Sequence, residues 1–339
     1  MLFKKKIAPR LSLPGIGIFL SFLLLSLFCV SCNTKEKPLT TITFADATSP
    51  YSAPLYVADK KGFFKEEGLN VQIATFTAGR FCLDALLGGK ADFAMVADMP
   101  IMRVGFTNQD ISIISTIAES NAAVKLIARK DRGIDKPSDL KGKKIGTLFG
   151  TSSEFFLSGF LEKNGISEKS ITKVNIDAGN MPAALIRGDL DAYDIWEPYI
   201  QSALNVLKGK AVVFVDRSVY TLTWNVLTRQ DILRDNFDAA KRLVKALVKA
   251  ENFIKAKREE SIKITADAIG MKVEDLTKIW DDYTFDISLD PILTDVIIRE
   301  VRWAIANDPS LKGSSIPDYH RLIDNRILKE VRPRSVLIE

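Results

Sequence analysis

"TAGRFCLDALLGGKADFAMVADMP" (Thr77–Pro100) and "DAGNMPAALIRGDLDAYDIWEPY" (Asp177–Tyr199) carry the same pattern. Ala78-Gly79 matches Ala178-Gly179, Ala85-Leu86 matches Ala184-Leu185, Gly89 matches Gly188 and Asp92 matches Asp191, with a one-residue gap. Each copy reads as a glycine loop, a helix, a glycine turn and a strand that starts at aspartate. Asp98 and Glu197 stand at the matching strand ends. Two such units predict two lobes that share a substructure, each with a carboxylate just beyond a strand's C-terminal end. In open parallel sheets that is where ligands bind.

Working outward, strands alternate with helices. "TITFAD" (41–46) reads as a strand, "SAPLYVADKKGFFKEEG" (52–68) as a helix ending near Gly62, and "NVQIATF" (70–76) as a strand. A helix over Arg80–Leu87 precedes the strand "DFAMVA", and "DISIISTIA" and "AVKLIAR" follow. A second run begins near Arg129 with the strand "KKIGTLF" (143–149), a helix through Ser153, and "ITKVNI". It goes on with a helix over Met181–Arg187, "DAYDIW", a helix from Pro198, and "AVVFV". This βαβ rhythm predicts an α/β fold with parallel sheets. From Asp231 the chain turns almost wholly helical, with Ala240, Leu243, Val244, Leu247 and Val248 at helical spacing.

The first residues read as a secretory signal: Lys4, Lys5, Lys6 and Arg10, then an apolar run over roughly 15–30. The run ends in "CVSC", which resembles a bacterial lipoprotein cleavage box, with Cys32 as the acylated residue. Cys29, three before it, stands where leucine is usual. An uncleaved N-terminal anchor is the other reading, and either one puts the rest of the chain outside the cytoplasm. The expected layout is a signal over 1–31 and a tether over 32–40.

The formal charge is +5, from 47 basic and 42 acidic residues. Taking the signal's four basic residues away leaves one more basic than acidic side chain, which gives no case for nucleic acid. Of three cysteines only Cys82 would remain, expected as a small buried hydrophobe. With His320 the only histidine, no metal site, no cofactor and no Ser-His or Cys-His catalysis is expected.

"APLYVADKKGFFKEEGLNV", "LGGKADFAMV", "KPSDLKGKKIGTLFGTSSEFFL" and "GDLDAYDIWEPY", in that order, resemble the nitrate/sulfonate/taurine-type solute-binding proteins of ABC importers, a group that includes thiamine-precursor binders. The resemblance spans about 41–308. It implies a two-lobed periplasmic-binding-protein fold of type II, with Rossmann-like lobes at 41–128 plus 229–339 and at 129–228. "IARKD" (127–131) and "VLTRQ" (226–230) would be the two hinge crossings. It further implies a monomer that captures a small solute between the lobes and delivers it to a permease and its ATPase, held at the membrane by lipid on Cys32. Two alternatives stay open. One is a sensor lipoprotein without a transport role. The other is an enzyme like the thiamine-pyrimidine synthases, against which stands the missing cysteine cluster around Cys82.

The candidate ligand-binding residues follow the strand ends. Tyr51 and Ser52 lie at the first, and Gly79 and Arg80 at the next helix start. The planar fork of Arg80 suits a sulfonate or carboxylate. In "GTSSEFFL", Thr151, Ser152 and Ser153 open a helix whose N–H groups can hold an anion, although Thr151 with Glu154 also forms a capping box. Asp98 and Glu197 would suit a cationic or donor group, or serve as first-turn acids of the helices after them. Trp196 offers an aromatic face; Tyr220 and Trp224 are weaker candidates. This mixed inventory suggests taurine, a larger organic sulfonate or a flat nitrogen heterocycle.

Overall fold

The computed structural model describes residues 1–2, 8, 38–107 and 110–338. Most of the expected signal, with Cys29 and Cys32, lies outside the described residues. The chain divides into Met1–Pro38 and Leu39–Glu339, and the second unit holds both sheets.

In chain order the first sheet's elements are β1 (Thr40–Ala47), α1 (Ala53–Lys61), α2 (Phe63–Glu66), β2 (Leu69–Phe76), α3 (Gly79–Leu87), β3 (Phe93–Ala97), α4 (Asp98–Gly105) and β4 (Ile111–Ser120). The chain then enters the second sheet through β5 (Lys125–Arg129), β6 (Lys144–Thr147), α5 (Ser152–Lys163), β7 (Thr172–Asn175), α6 (Met181–Arg187), β8 (Ala192–Ile195), α7 (Tyr199–Leu207) and β9 (Ala211–Phe214). It returns on β10 (Leu222–Arg229) and finishes with α8 (Gln230–Ala256), α9 (Arg258–Ile269), α10 (Val273–Ile279), β11 (Thr284–Ser288), α11 (Pro291–Asn307) and α12 (Arg326–Val331).

The sheet orders are β11-β4-β10-β3-β1-β2 and β7-β6-β8-β5-β9. In the first, β1 runs parallel to β2 and β3, while β10 is antiparallel to β3 and β4. In the second, β6 runs parallel to β7 and β8, while β5 is antiparallel to β8 and β9. The sheets are therefore mixed, where the βαβ rhythm had suggested parallel ones. A strand buried on both faces reads as an apolar run whichever way it points.

The duplication extends beyond the quoted repeat. Asp92 Oδ2 accepts the Thr43 N–H at 2.8 Å, and Asp191 Oδ2 accepts the Lys144 N–H at 2.9 Å, so each aspartate ties its strand to the neighbouring one. Arg229 donates to the carbonyls of Leu86 and Ala91, and Arg129 to those of Leu185 and Ile186. Each arginine thus satisfies carbonyls at or just beyond the end of its lobe's repeat helix, α3 or α6. Each also pairs with the aspartate two residues on, Asp231 or Asp131.

These arginines correct the expected crossings. Lys125–Arg129 is a strand of the second sheet and Leu222–Arg229 a strand of the first. The chain passes between sheets one strand earlier than expected, at 121–124 and 215–221. "IARKD" and "VLTRQ" sit at the far ends of β5 and β10, anchoring helix ends.

Local chemistry explains the elements. Gly62 ends α1 in the left-handed region (φ +77°), its N–H bonded to the carbonyls of Ala58 and Asp59. Thr151 caps α5 by accepting the Ser153 N–H at 3.3 Å. Along α8, Ala240, Leu243, Val244 and Leu247 are buried and Val248 is half-buried. Cys82 is fully buried, and desolvation raises its thiol pKa well above the ordinary value, so it is an inert packing group.

Candidate binding site

A cavity with about 330 Å³ of empty volume lies where the C-terminal ends of the parallel strands of both sheets meet. Ser49 and Tyr51 enter from the turn after β1, Gly79 and Arg80 from the start of α3, Ala97 from the end of β3 and Pro100 from the first turn of α4. The second sheet supplies Thr151 and Ser152 at the start of α5, and Trp196 after β8. Leu222 and Trp224 come from β10. The space is narrow, with room for about one water.

Two polar groups in these walls are buried without a partner: Tyr51 Oη and Ser152 Oγ, on residues each 1% exposed. A buried hydroxyl left unpaired costs about 1–3 kcal/mol. Both residues line the cavity, and each also has a hydroxyl neighbour behind the wall, Ser120 beside Tyr51 and Tyr220 beside Ser152. Trp224 stacks on Tyr51, with ring centroids 5.7 Å apart. Its indole needs the bare backbone of Gly79, because a Cβ there would lie 3.0 Å from the ring and 3.3 Å from Ala97 N.

Elements of the two sheets are bonded across the cleft. Arg80 Nη1 donates to Phe149 O at 2.5 Å, and the guanidinium rests on the Phe81 ring, 4.7 Å from its centroid. Thr77 Oγ1 donates to Asp177 Oδ2 at 3.1 Å, and Trp303 Nε1 to Ser158 Oγ at 2.8 Å.

The family model described as NMT1/THI5 like matches residues 49–261. The chain belongs to the NMT1/THI5-like family. YtlA of Bacillus subtilis, named a binding protein, is 29% identical over 323 residues, covering 90% of this chain and 94% of that one. A binding protein of Brucella abortus is 28% identical over 213 residues, 62% of this chain. That alignment spans 65% of the relative's length. Among solved structures, the alkanesulfonate-binding protein SsuA of Xanthomonas axonopodis, bound to MOPS, superposes with a TM-score of 0.72 at 19% identity. That match covers 85% of this chain and 99% of SsuA, so the fold is that of the periplasmic binding proteins. Relatives named for what they bind include an aliphatic sulfonates-binding protein of Bacillus subtilis, 27% identical over 67% of this chain, and the taurine-binding periplasmic protein of Escherichia coli, 26% identical over 64%.

Of the ten ligand-binding candidates, the family member brings six to the cavity wall: Tyr51, Gly79, Arg80, Thr151, Ser152 and Trp196. Trp224, a weaker candidate, also lines it, as does Ser49 at the end of the first strand; Ala97, Pro100 and Leu222 were not anticipated.

Ser52, Asp98, Ser153 and Glu197 do not line it; they sit behind the wall and hold it. Ser52 Oγ donates to Asp46 Oδ1 at 2.5 Å and accepts Trp224 Nε1 at 2.9 Å, which fixes the indole. Asp46 also accepts from Tyr56 Oη at 2.6 Å, and burial pushes its pKa up to about 7 against these bonds. Ser153 Oγ bonds to Asp194 Oδ2 at 2.8 Å, and burial raises the Asp194 pKa well above the ordinary value.

Asp98 begins α4, takes the Met99 N–H at 2.9 Å and the Thr223 N–H at 2.6 Å, and is bonded by Tyr220 Oη. Tyr220 also reaches Glu300 at 3.2 Å, and burial raises the pKa of both acids. Glu197 accepts the Gln201 N–H at 2.9 Å and faces the buried Lys125 at 3.7 Å. Lys125 lies 3.4 Å from Asp282, which also pairs with Arg217 of the second crossing at 2.5 Å. Both strand-end acids therefore serve the starts of the following helices and the packing near the crossings. Neither carboxylate lines the cavity.

Proposed function

We propose that this protein is an extracytoplasmic solute-binding lipoprotein, anchored through lipid on Cys32. It captures a small polar organic solute between its lobes and delivers it to an ABC permease and its ATPase. The lobes are 39–120 plus 222–338, and 125–214, and they hinge at 121–124 and 215–221. Solute enters when the lobes part, and closure buries it. No bond of the solute is broken.

The observation that carries this reading is the cavity between the sheets, walled from both sides and holding two buried unpartnered hydroxyls. The family and fold support it, as do relatives named for sulfonate and taurine binding. Thermal unfolding of the full-length chain in mild detergent, against nitrate, taurine, alkane- and arylsulfonates, thiamine pyrimidine and aromatic carboxylates, tests it. A true solute at about 100 times its Kd adds about 2.7 kcal/mol and raises the midpoint by several degrees. No shift with any of them overturns the reading.

A further inference from the structure

We infer that the solute is a flat aromatic anion without an ammonium group, an aryl carboxylate or sulfonate. This rests on the binding reading above and narrows it. Three features of the cavity carry it.

The first is its shape and surface. Tyr51, Trp196 and Trp224 put three aromatic rings into the walls, and Ala97, Pro100 and Leu222 add only apolar atoms. The closed space is so narrow that a planar ring, slipped between the walls, needs less parting of the lobes than a puckered or branched body. Rings in the walls favour a ring in the solute through offset or edge contacts.

The second is the absence of negative charge. No carboxylate lines the cavity among the described residues. Asp98 and Glu197 are bound up behind the wall by Tyr220 and Thr223, and by Lys125 and Gln201. Glu154, in the first turn of α5, takes the Gly150 N–H at 2.8 Å. An ammonium group in the cavity would be desolvated with ring faces but no carboxylate to pair it.

The third is the placement of positive charge. Arg80 forms no ion pair with any described carboxylate, and the starts of α3 and α5 both open on the cavity. Ser152, at the first position of α5, adds its unpartnered hydroxyl. Oxygens of an anionic head can take the Arg80 N–H groups that Phe149 O does not use, the Ser152 hydroxyl and the Ser152 N–H at the α5 start together.

The test is a set of matched titrations on the full-length chain in mild detergent. Benzenesulfonate against cyclohexanesulfonate isolates flatness, benzoate against benzamide isolates charge, and 4-(aminomethyl)benzoate adds an ammonium group. The aryl anion is expected to bind about tenfold tighter than its saturated or neutral partner, and about a hundredfold tighter than the zwitterion. Arg80→Gln is expected to weaken benzoate at least about tenfold and benzamide much less. Trp196→Leu is expected to erase the preference for benzenesulfonate over cyclohexanesulfonate. Binding of butanesulfonate or taurine with none of the aryl anions overturns this inference and leaves the binding reading standing. Benzamide equal to benzoate overturns the charge assignment. No binding or midpoint shift with any compound overturns both.

Discussion

Replacing Asp46 with asparagine will flatten part of the pH dependence of stability. Asp46 ends β1, is fully buried, and braces Ser52, which in turn holds Trp224 in the cavity wall. Burial outweighs its two hydroxyl donors and lifts its pKa from 3.8 to about 7. A carboxyl whose pKa is raised on folding contributes stability that is complete below about pH 4 and is lost as pH rises through about 7. A shift of about three units at about 1.4 kcal/mol each sets a ceiling near 4 kcal/mol. Asp46→Asn keeps the volume and an acceptor for Ser52 but cannot ionise. Other buried acids, Asp98, Asp194, Glu197 and Glu300, slope in the same direction and cancel when the two proteins are compared. The assay is urea unfolding of both proteins from pH 5 to 8. The stability advantage of the wild type over the variant should shrink by about 2–3 kcal/mol across that range. Two curves that stay parallel would refute the reasoning, because the Asp46 carboxyl would then titrate alike in the folded and unfolded chain.

Gly79→Ala places a Cβ 3.0 Å from the Trp224 ring and presses the indole into the cavity; calorimetry should show solute affinity falling about tenfold, while urea unfolding shows a loss within about 1–2 kcal/mol. Ser153→Ala removes the hydroxyl that serves Asp194 and should destabilise by about 1–3 kcal/mol in urea titration. Lys125→Met leaves Glu197 buried without its cation and should destabilise by about 3 kcal/mol or more. Cys32→Ser should move the protein from the membrane to the soluble fraction and abolish incorporation of labelled fatty acid.

The duplicated core was legible because its punctuation is stereochemical. Gly188 adopts φ +85° at the end of α6, and Asp92 and Asp191 each tie a strand to its neighbour, so residue type and spacing survive in both copies. The matching Arg129-x-Asp131 and Arg229-x-Asp231 went unread because chain order permutes them. β5 comes first in the second sheet, while its counterpart β10 comes last among the matched strands of the first, after the whole second lobe. The crossings were displaced by a strand for the same reason.

At the cavity, helix starts and glycine loops pointed to Tyr51, Gly79, Arg80, Thr151, Ser152 and Trp196, since position after a strand fixes proximity to the cleft. Position does not fix which way a strand-end side chain turns. Asp98 and Glu197 turn toward Tyr220, Thr223 and Lys125, partners remote in sequence whose approach is set by the packing of β5, β10 and the second crossing. The full role of Trp224 was hidden likewise, because its anchor, Ser52, lies 172 residues away.

The central claim is that one solute is held between the two sheets by both. Amide hydrogen exchange, with and without whichever solute gives the largest shift of the unfolding midpoint, tests it most directly. The account predicts added protection at 48–52 and 78–80 of the first lobe together with 150–153 and 194–197 of the second. Protection confined to one lobe, or lying outside these segments, would contradict it.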